Sequence, residues 1–211
     1  MKALYDPPKI VKLIFNKFIW NAPKNKILFT FDDGPNTETT PMILKKLSDL
    51  HIKAVFFCVG TNLLKFPSLV DEIVSEGHLI GNHTWNHKKV IDFQNNDFQN
   101  EIAKFNEYML QKFNHKVELF RPPHGKINFK FYRNANAHQL KVMMWSLLTY
   151  DYKNDLKVVK FALQKYLIHN SIIVMHDSEK SKNVIYDSIE WANDMIIEKN
   201  LNIGNPASCL S

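Results

Sequence analysis

The chain has 211 residues, of which 45% are hydrophobic and 12% aromatic, and its formal net charge is +6. This length fits one domain with a sizeable core, and the composition excludes an intrinsically disordered chain. No apolar run reaches the ~18 residues of a membrane-spanning helix, and two cysteines exclude a disulfide-scaffolded mini-domain and a four-cysteine zinc module.

The basic residues are spread along the whole sequence. Only Arg121 and Arg133 among the 27 basic residues are arginines, and no run of lysines exceeds two. Direct readout of bases and bidentate contacts to phosphate both depend heavily on arginine. We therefore interpret the lysines as a solvated surface and expect no nucleic-acid partner.

The first 25 residues are predicted to form an amphipathic segment that packs on or beside a single domain of residues 26–211. Residues 9–20 predict a helix because their apolar positions recur near helical spacing; these positions include Ile10, Leu13, Ile14 and Phe18. A basic helix of this kind can lie on a membrane surface. A helix packed across the domain is the favoured interpretation, because a helix this short gains most of its stability from tertiary contacts.

The same segment has little in common with a signal peptide. Lys12 and Lys17 interrupt its apolar run, and no small-residue cleavage site follows. The expected location is therefore the cytoplasm, or a non-classical association with the cell envelope.

From residue 26 onward, short apolar strands alternate with helices. Strands are predicted over 26–31, 54–60, 78–83, 116–120, 141–147 and 171–176. Helices are predicted over 40–51, 67–76, 97–113, 129–138, 155–168 and 181–199. This alternation predicts an α/β fold with a parallel sheet, open or closed into a barrel, whose functional side chains gather at the carboxyl ends of the strands.

Five segments with polar or titratable residues follow predicted strands. They are TFDDGP (residues 30–35), HTWNH (83–87), RPPHG (121–125), WSLLTYDY (145–152) and VMHD (174–177). Because parallel strands end at one rim, we expect these segments to meet there.

The HTWNH segment indicates a metal site. His83 and His87 are four residues apart, so they lie on one face of a helical turn and can bind one ion. A zincin motif would need Glu where Thr84 stands, so the third ligand is expected to be an aspartate at another strand end. Two histidines and a carboxylate leave positions for water and substrate, but the same set also serves non-haem iron oxygenases.

The adjacent carboxylates Asp32 and Asp33 can divide two tasks, one binding metal and the other acting as a base. Arg121, rare in a lysine-rich chain, is expected to fork onto a carboxylate. The alternative for the aspartate pair is a solvated Asp-Gly-Pro turn. His176 and Asp151, each taken alone, are typical of a core histidine and a turn acid.

The five segments, in this order, resemble the polysaccharide deacetylase family (carbohydrate esterase family 4), and the resemblance runs from about residue 27 to residue 177. It implies a distorted, incomplete (β/α) barrel of parallel strands. It also implies metal-dependent hydrolysis of an acetamide, or of an O-acetyl ester, on an acetylated glycan or oligosaccharide such as chitin oligomers, peptidoglycan or xylan, with release of acetate.

The resemblance also implies residue roles by motif position. The metal ligands are Asp33, His83 and His87, with zinc the usual ion and cobalt or nickel as substitutes. The catalytic residues are the general base Asp32, Arg121 that holds it, the general acid His176 and its partner Asp151. The residues expected to contact substrate are Pro123, His124, Tyr152 and Val174.

Four departures from the family pattern touch no ligand, base or acid. Those at residues 152 and 174 are expected to reshape the acetyl pocket, the one at residue 124 to alter a subsite contact, and the one at residue 148 to be tolerated. Tyr152 stands where tryptophan is usual, Val174 where leucine is usual, His124 where tyrosine is common, and Leu148 where an aspartate occurs. The alternatives to a sugar deacetylase are an amide hydrolase acting on a non-sugar substrate, a non-catalytic metal-bound carbohydrate-binding protein, and a basic module that binds nucleic acid or a membrane surface.

Overall fold

The computed structural model describes residues 4–93, 97–137 and 139–210. Its centre is a curled, half-barrel sheet of seven strands in the order β5-β4-β3-β2-β1-β7-β6, in which every neighbouring pair is parallel. The strands are β1 (Leu28–Asp32), β2 (Ala54–Cys58), β3 (Leu79–Asn82), β4 (Leu119–Phe120), β5 (Lys141–Val142), β6 (Leu147–Leu148) and β7 (Ile172–His176). The predicted parallel α/β fold, an incomplete (β/α) barrel, is confirmed.

Helices connect the strands and cover the outer face of the sheet. They are α1 (Lys9–Ile14), α2 (Thr40–Asp49), α3 (Gly60–Lys65), α4 (Pro67–Ser75), α5 (Asp97–Phe113), α6 (Phe129–Ala137), α7 (Leu156–Tyr166), α8 (Ile185–Glu198) and α9 (Pro206–Cys209). The predicted bounds of α2 and α4 through α7 agree within two residues, except that residue 138 lies outside the described part; α8 begins four residues later than predicted. No described helix has the length and apolarity needed to span a bilayer.

The two faces of β1 explain why the site forms at its end. Phe29 and Phe31 point outward into the main core cluster under the helices. Leu28 points inward and packs with residues of neighbouring strands. Side chains alternate along a strand, so Thr30 and Asp32 also lie on the inner face. Asp32 therefore stands inside the barrel at the carboxyl end of β1.

The strand predicted over residues 141–147 is interrupted. Its ends form β5 and β6, which lie at opposite edges of the sheet, so residues 143–146 cross the opening of the half-barrel. The backbone carbonyls of Met143 and Met144 accept hydrogen bonds from the Arg121 side chain at 3.0 and 2.8 Å. The apolar sequence of residues 141–147 does not indicate this break. Burial of most side chains continues through it, while the backbone changes its hydrogen-bond partners.

The amino-terminal segment also differs from the prediction. The helix α1 ends at Ile14, and Phe15, Phe18 and Trp20 then pack into a second core cluster. Extended backbone follows: the Ile19 amide donates to Val142 at 2.8 Å and its carbonyl accepts from Met144 at 2.8 Å. A helix over residues 9–20 would prevent this pairing.

Candidate metal centre and active site

A change of backbone conformation separates the two adjacent aspartates. Asp32 ends β1 with its side chain inside the barrel, while Asp33 has φ of 82° and turns its carboxylate toward the open rim. Gly34 follows, and a Cβ there would lie 2.0 Å from Oδ2 of Asp177. The turn therefore requires glycine, and it allows both carboxylates to face one pocket.

Asp177 anchors this turn from below. Its buried carboxylate accepts hydrogen bonds from the hydroxyls of Thr39 and Thr40, each at 2.6 Å, and from the Asn36 amide at 3.0 Å. Burial raises the pKa of Asp177 to about 7, against the lowering effect of these hydrogen bonds. Our sequence analysis gave Asp177 no role; its contacts make it a support for the Asp33 loop.

The predicted metal ligands converge. Single donor atoms from Asp33, His83 and His87 all lie within 4.8 Å of one another. The Oδ1 atom of Asp33 lies 3.6 Å from Nε2 of His83 and 3.1 Å from Nε2 of His87. The predicted helical turn is wrong, however: Thr84 and His87 have φ of 66° and 55° in a loop after β3, and this loop brings the imidazoles together.

The protonation of His83 suits a metal ligand. Its Nδ1 atom lies 2.8 Å from the carbonyl of Arg121, which can only accept, so Nδ1 carries the proton and the Nε2 lone pair faces Asp33. Burial lowers the pKa of His83 to about 4 despite the nearby carboxylates. Burial alone would raise the pKa of Asp33, but the His87 hydrogen bond and the neighbouring histidines lower it. An ionised carboxylate and two imidazoles, at least one of them neutral, form a donor set that fits a divalent ion such as zinc.

Asp32, the carboxylate outside the predicted ligand set, is held in place by Arg121. The Nη1 atom of Arg121 donates to Asp32 Oδ1 and to the Thr30 hydroxyl, each at 2.7 Å. The expected fork is wrong: one nitrogen contacts Asp32, because Nε and Nη2 bond to the carbonyls that cross the barrel opening. The arginine is fully buried and stacks on Phe57. The Oδ2 atom of Asp32 remains directed toward His83, 4.0 Å from its Nε2 atom.

A histidine–carboxylate pair lies at the neighbouring strand end, where His176 is the register partner of Asp32. His176 ends β7, and its Nδ1 and backbone amide contact the two oxygens of buried Asp151 at 2.8 and 2.7 Å. Burial opposes the charged imidazolium, but Asp151 and the more distant Asp32 and Asp33 raise the pKa of His176 to about 9. His176 is therefore protonated at neutral pH, with its Nε2 side toward the cavity.

These groups surround one cavity of about 280 Å³. Beyond Asp32, Asp33, His83, His87 and His176, its lining comprises His124, Gly125, Trp145, Leu148, Tyr152, Val174 and Lys180. His124, Tyr152 and Val174 thus line the cavity as expected, whereas Pro123 is buried in the turn beneath it and is not part of the lining.

Sequence reasoning missed Trp145 and Lys180 as lining residues. Gly125 was the sequence feature that could have indicated a close contact here. A Cβ at Gly125 would lie 2.1 Å from the Trp145 ring, and the φ of Gly125 is 62°. Leu148, where the family pattern has an aspartate, supplies an apolar wall instead.

Enzymes with a barrel of parallel strands place their catalytic and ligand residues at the carboxyl ends of those strands, and this rim has that arrangement. The chain belongs to the polysaccharide deacetylase family, whose sequence model matches residues 20–143.

Curated relatives agree with this membership. A peptidoglycan-N-acetylglucosamine deacetylase of Bacillus cereus is 37% identical over 138 residues, which is 64% of this chain and 50% of the relative. Chitin deacetylase 2 of Saccharomyces cerevisiae is 30% identical over 187 residues, which is 89% of this chain and 58% of the relative. The chain therefore spans about half the length of these curated relatives.

A solved structure matches almost the whole chain. The crystal structure of a peptidoglycan N-acetylglucosamine deacetylase, in complex with 4-naphthalen-1-yl-N-oxidanyl-benzamide, superposes with a TM-score of 0.87 at 27% identity. The match covers 96% of each chain. The superposition therefore extends beyond the residues that the family model matches.

Proposed function

We propose that this protein is a metal-dependent carbohydrate deacetylase that hydrolyses the acetamide of N-acetylglucosamine units in a glycan and releases acetate. The observation that carries the proposal is that the Asp33/His83/His87 cluster, Asp32 and His176 all line one cavity. Relatives named as peptidoglycan N-acetylglucosamine and chitin deacetylases support the choice of sugar.

The proposed metal ligands are Asp33, His83 and His87, and the donor set favours zinc, with cobalt or nickel as substitutes. A divalent ion held there would polarise the acetyl carbonyl and lower the pKa of a water molecule from about 15.7 toward 7.

Asp32 is the proposed general base. Its Oδ1 atom is occupied by Arg121, and its Oδ2 atom is left on the side of the metal cluster, where it can accept a proton from the attacking water. The four hydrogen bonds that Arg121 donates fix its guanidinium, which in turn keeps the acceptor oxygen of Asp32 in place.

His176 is the proposed general acid. It is protonated at neutral pH, and its Nδ1 atom is held by Asp151, so the proton that can leave is on Nε2. Transfer of that proton to the sugar nitrogen makes the departing group an amine. The backbone N–H of His124, at the cavity wall, is the proposed donor to the developing oxyanion.

The remaining cavity wall suits the methyl of an acetyl group. Trp145, Leu148, Tyr152 and Val174 line it, and the Tyr152 ring lies edge-on against His176 at 4.8 Å between centroids. Their apolar surfaces exclude water from the side of the acid.

The test is acetate release from N-acetylglucosamine oligomers by the zinc-loaded protein. We expect release that a chelator abolishes and that added zinc restores. Acetate release only from non-sugar acetamides would favour the amide hydrolase, and none from a panel of acetylated glycans, by a protein that still binds chitin oligomers, would favour a carbohydrate-binding protein. Activity that survives chelation would contradict the metal role.

A further inference from the structure

The outward face of α1 is apolar although it is exposed. Ile10, Leu13 and Ile14, at spacings of three and four residues, have exposed fractions of 61%, 70% and 41%. The inward face is formed by Val11 and Phe15, which pack on the second core cluster. The helical spacing noted in the sequence therefore marks the solvent side of the helix and not its packing side.

The face continues onto the start of α6. Phe129, with 64% of its surface exposed, contacts the ring of Phe15 at 5.5 Å between centroids. Tyr132 lies between the two helices, touching Phe15 and donating a hydrogen bond from its hydroxyl to Asn16 at 2.9 Å. We call the surface around the exposed side chains of Ile10, Leu13, Ile14 and Phe129 the α1–α6 face.

The two segments that contribute to this face, residues 4–25 and 123–137, are strongly basic. They contain seven basic residues, Lys9, Lys12, Lys17, Lys24, Lys126, Lys130 and Arg133, and one acid, Asp6. The excess of basic over acidic residues in these two segments equals the formal net charge of the entire chain, +6. Asp6 is paired with Lys12 at 2.6 Å, and within the described residues the other six basic side chains form no ion pair.

We infer that the α1–α6 face docks on an anionic lipid bilayer. A bilayer interface accepts aliphatic and aromatic side chains into its acyl boundary and attracts lysines to its anionic headgroups. Nucleic acid would match the charge but offers no medium for Ile10, Leu13 and Ile14. Lys9 on α1 and Lys130 on α6 directly adjoin the exposed Ile10 and Phe129 in the chain, and their charge complements a negative surface.

Docking on this face would place the cavity beside the bilayer. The turn Pro123–Gly125 carries His124 at the cavity wall and precedes α6 by only three residues. A glycan lying close to a membrane would therefore be within reach of the docked protein. The inference does not depend on the deacetylase activity, since it concerns a different surface.

Sedimentation of the full chain with lipid vesicles tests the docking. We expect binding to vesicles of phosphatidylcholine with phosphatidylglycerol, little binding to pure phosphatidylcholine, and about a tenfold loss of binding when salt is raised toward 0.5 M. Ile10→Ser with Leu13→Ser, and separately Lys9→Glu with Lys17→Glu, should each reduce binding about tenfold or more.

Matched controls come from the rest of the surface. Leu110→Ser with Ile197→Ser removes aliphatic side chains that are 55% and 68% exposed on other helices, and Lys112→Glu with Lys157→Glu reverses two exposed charges elsewhere. Both should leave vesicle binding unchanged.

Three results would overturn the inference. They are equal binding to neutral and anionic vesicles, binding that the α1 variants leave unchanged, and a dimer in light scattering that Ile10→Ser with Leu13→Ser dissociates.

Discussion

Asp32 and Asp33 are identical side chains at consecutive positions, yet their surroundings prepare them for different chemistry. Asp32 continues the inward alternation of β1 and meets a buried arginine, whereas Asp33 leaves the strand at positive φ and meets two imidazoles. Asp32 is thereby available as the proposed base and Asp33 as a proposed metal ligand. A single change of backbone conformation produces this division.

Replacing Asp32 with Asn separates the two tasks. Asp32→Asn keeps the shape and the contact with Arg121 but removes the proton acceptor, so turnover should fall about 10²- to 10⁴-fold while zinc stoichiometry is unchanged. Acetate release and metal analysis of the same sample provide the check. Asp49→Asn, an exposed carboxylate on α2, is the control and should retain full activity; an Asp32→Asn variant within about twofold of the parent would remove Asp32 as the base.

The pH dependence should report His176. Because the acid must be protonated, activity should fall as pH rises through the pKa of His176, about 9 in the metal-free protein. A bound cation offsets the negative charges of Asp32 and Asp33. The basic limb of the pH–activity profile, where activity falls, should therefore lie at or below that value in the zinc-loaded enzyme. Asp151→Asn removes the nearest charge and should move the limb about one pH unit or more toward acid.

The control for this profile is Asp155→Asn, because asparagine caps α7 as well as aspartate does. A basic limb in Asp151→Asn that coincides with the parent's would show that the limb belongs to another group. The raised pKa of His176 also makes the stability of the protein depend on pH. Because this pKa lies above the usual 6.5, protonation of His176 stabilises the folded state fully below pH ~6.5, and the stabilisation is lost as pH rises through about 9.

At the scale of elements, the opening of the half-barrel is closed by a side chain. Residues 143–146 cross between β5 and β6, and Arg121 holds this crossing through two carbonyls while also contacting the inner face of β1. Removal of the buried guanidinium by substitution would leave these carbonyls and the Arg121-bound oxygen of Asp32 without their hydrogen-bond donor. The catalytic alignment and the closure of the barrel therefore depend on the same residue.

Arg121→Met should be strongly destabilising for this reason. We expect the free energy of unfolding to fall by about 3–5 kcal/mol, measured as a lower urea midpoint with an unchanged slope. Arg133→Met, at the exposed second arginine, should stay within about 0.5 kcal/mol of the parent. Equal effects of the two substitutions would show that Arg121 does not hold the crossing.

The amino-terminal segment braces the loop that carries Asp151. The ring of Tyr5 lies 4.9 Å from the rings of Tyr150 and Tyr166, and its carbonyl accepts from the Leu148 amide at 2.8 Å. Tyr150, at positive φ, directly precedes Asp151. Tyr5 therefore supports, through Tyr150, the loop that carries Asp151, the partner of the proposed acid.

Tyr5→Ala should therefore lower kcat more than it raises KM, and should destabilise the protein by about 1–3 kcal/mol. Tyr186→Ala removes a half-buried tyrosine from α8 and should destabilise without changing kcat. Steady-state kinetics with urea unfolding of both variants distinguishes them. If kcat is the same in the two variants at matched stability, Tyr5 has no positioning role.

At the scale of the whole molecule, local pattern in the sequence was enough to predict the alternation of strands and helices and the polar side chains that meet at one rim. Asp32, His83 and His176 each follow a short apolar run, and parallel strands bring such positions together without further information. The turn chemistry at Gly34 and Gly125 was visible as glycines in a glycine-poor chain.

Contacts between distant segments could not be predicted in this way. Trp145 lines the cavity because residues 143–146 cross between two edges of the sheet, and the crossing is held by partners distant in sequence, among them Arg121 and Ile19. The exposed side of α1 was assigned to packing because spacing gives the direction of an apolar face but not its environment. The same limit hid the joining of α1 and α6 into one face, since these helices are distant in sequence.

The proposed chemistry requires one ion bound by three side chains beside Asp32. Anomalous diffraction at the zinc edge from crystals of the zinc-loaded protein measures this directly. We predict one strong peak about 2.0–2.2 Å from a carboxylate oxygen of Asp33 and the Nε2 atoms of His83 and His87. A zinc-loaded crystal with no peak between these three residues, or with the peak at other side chains, would contradict it.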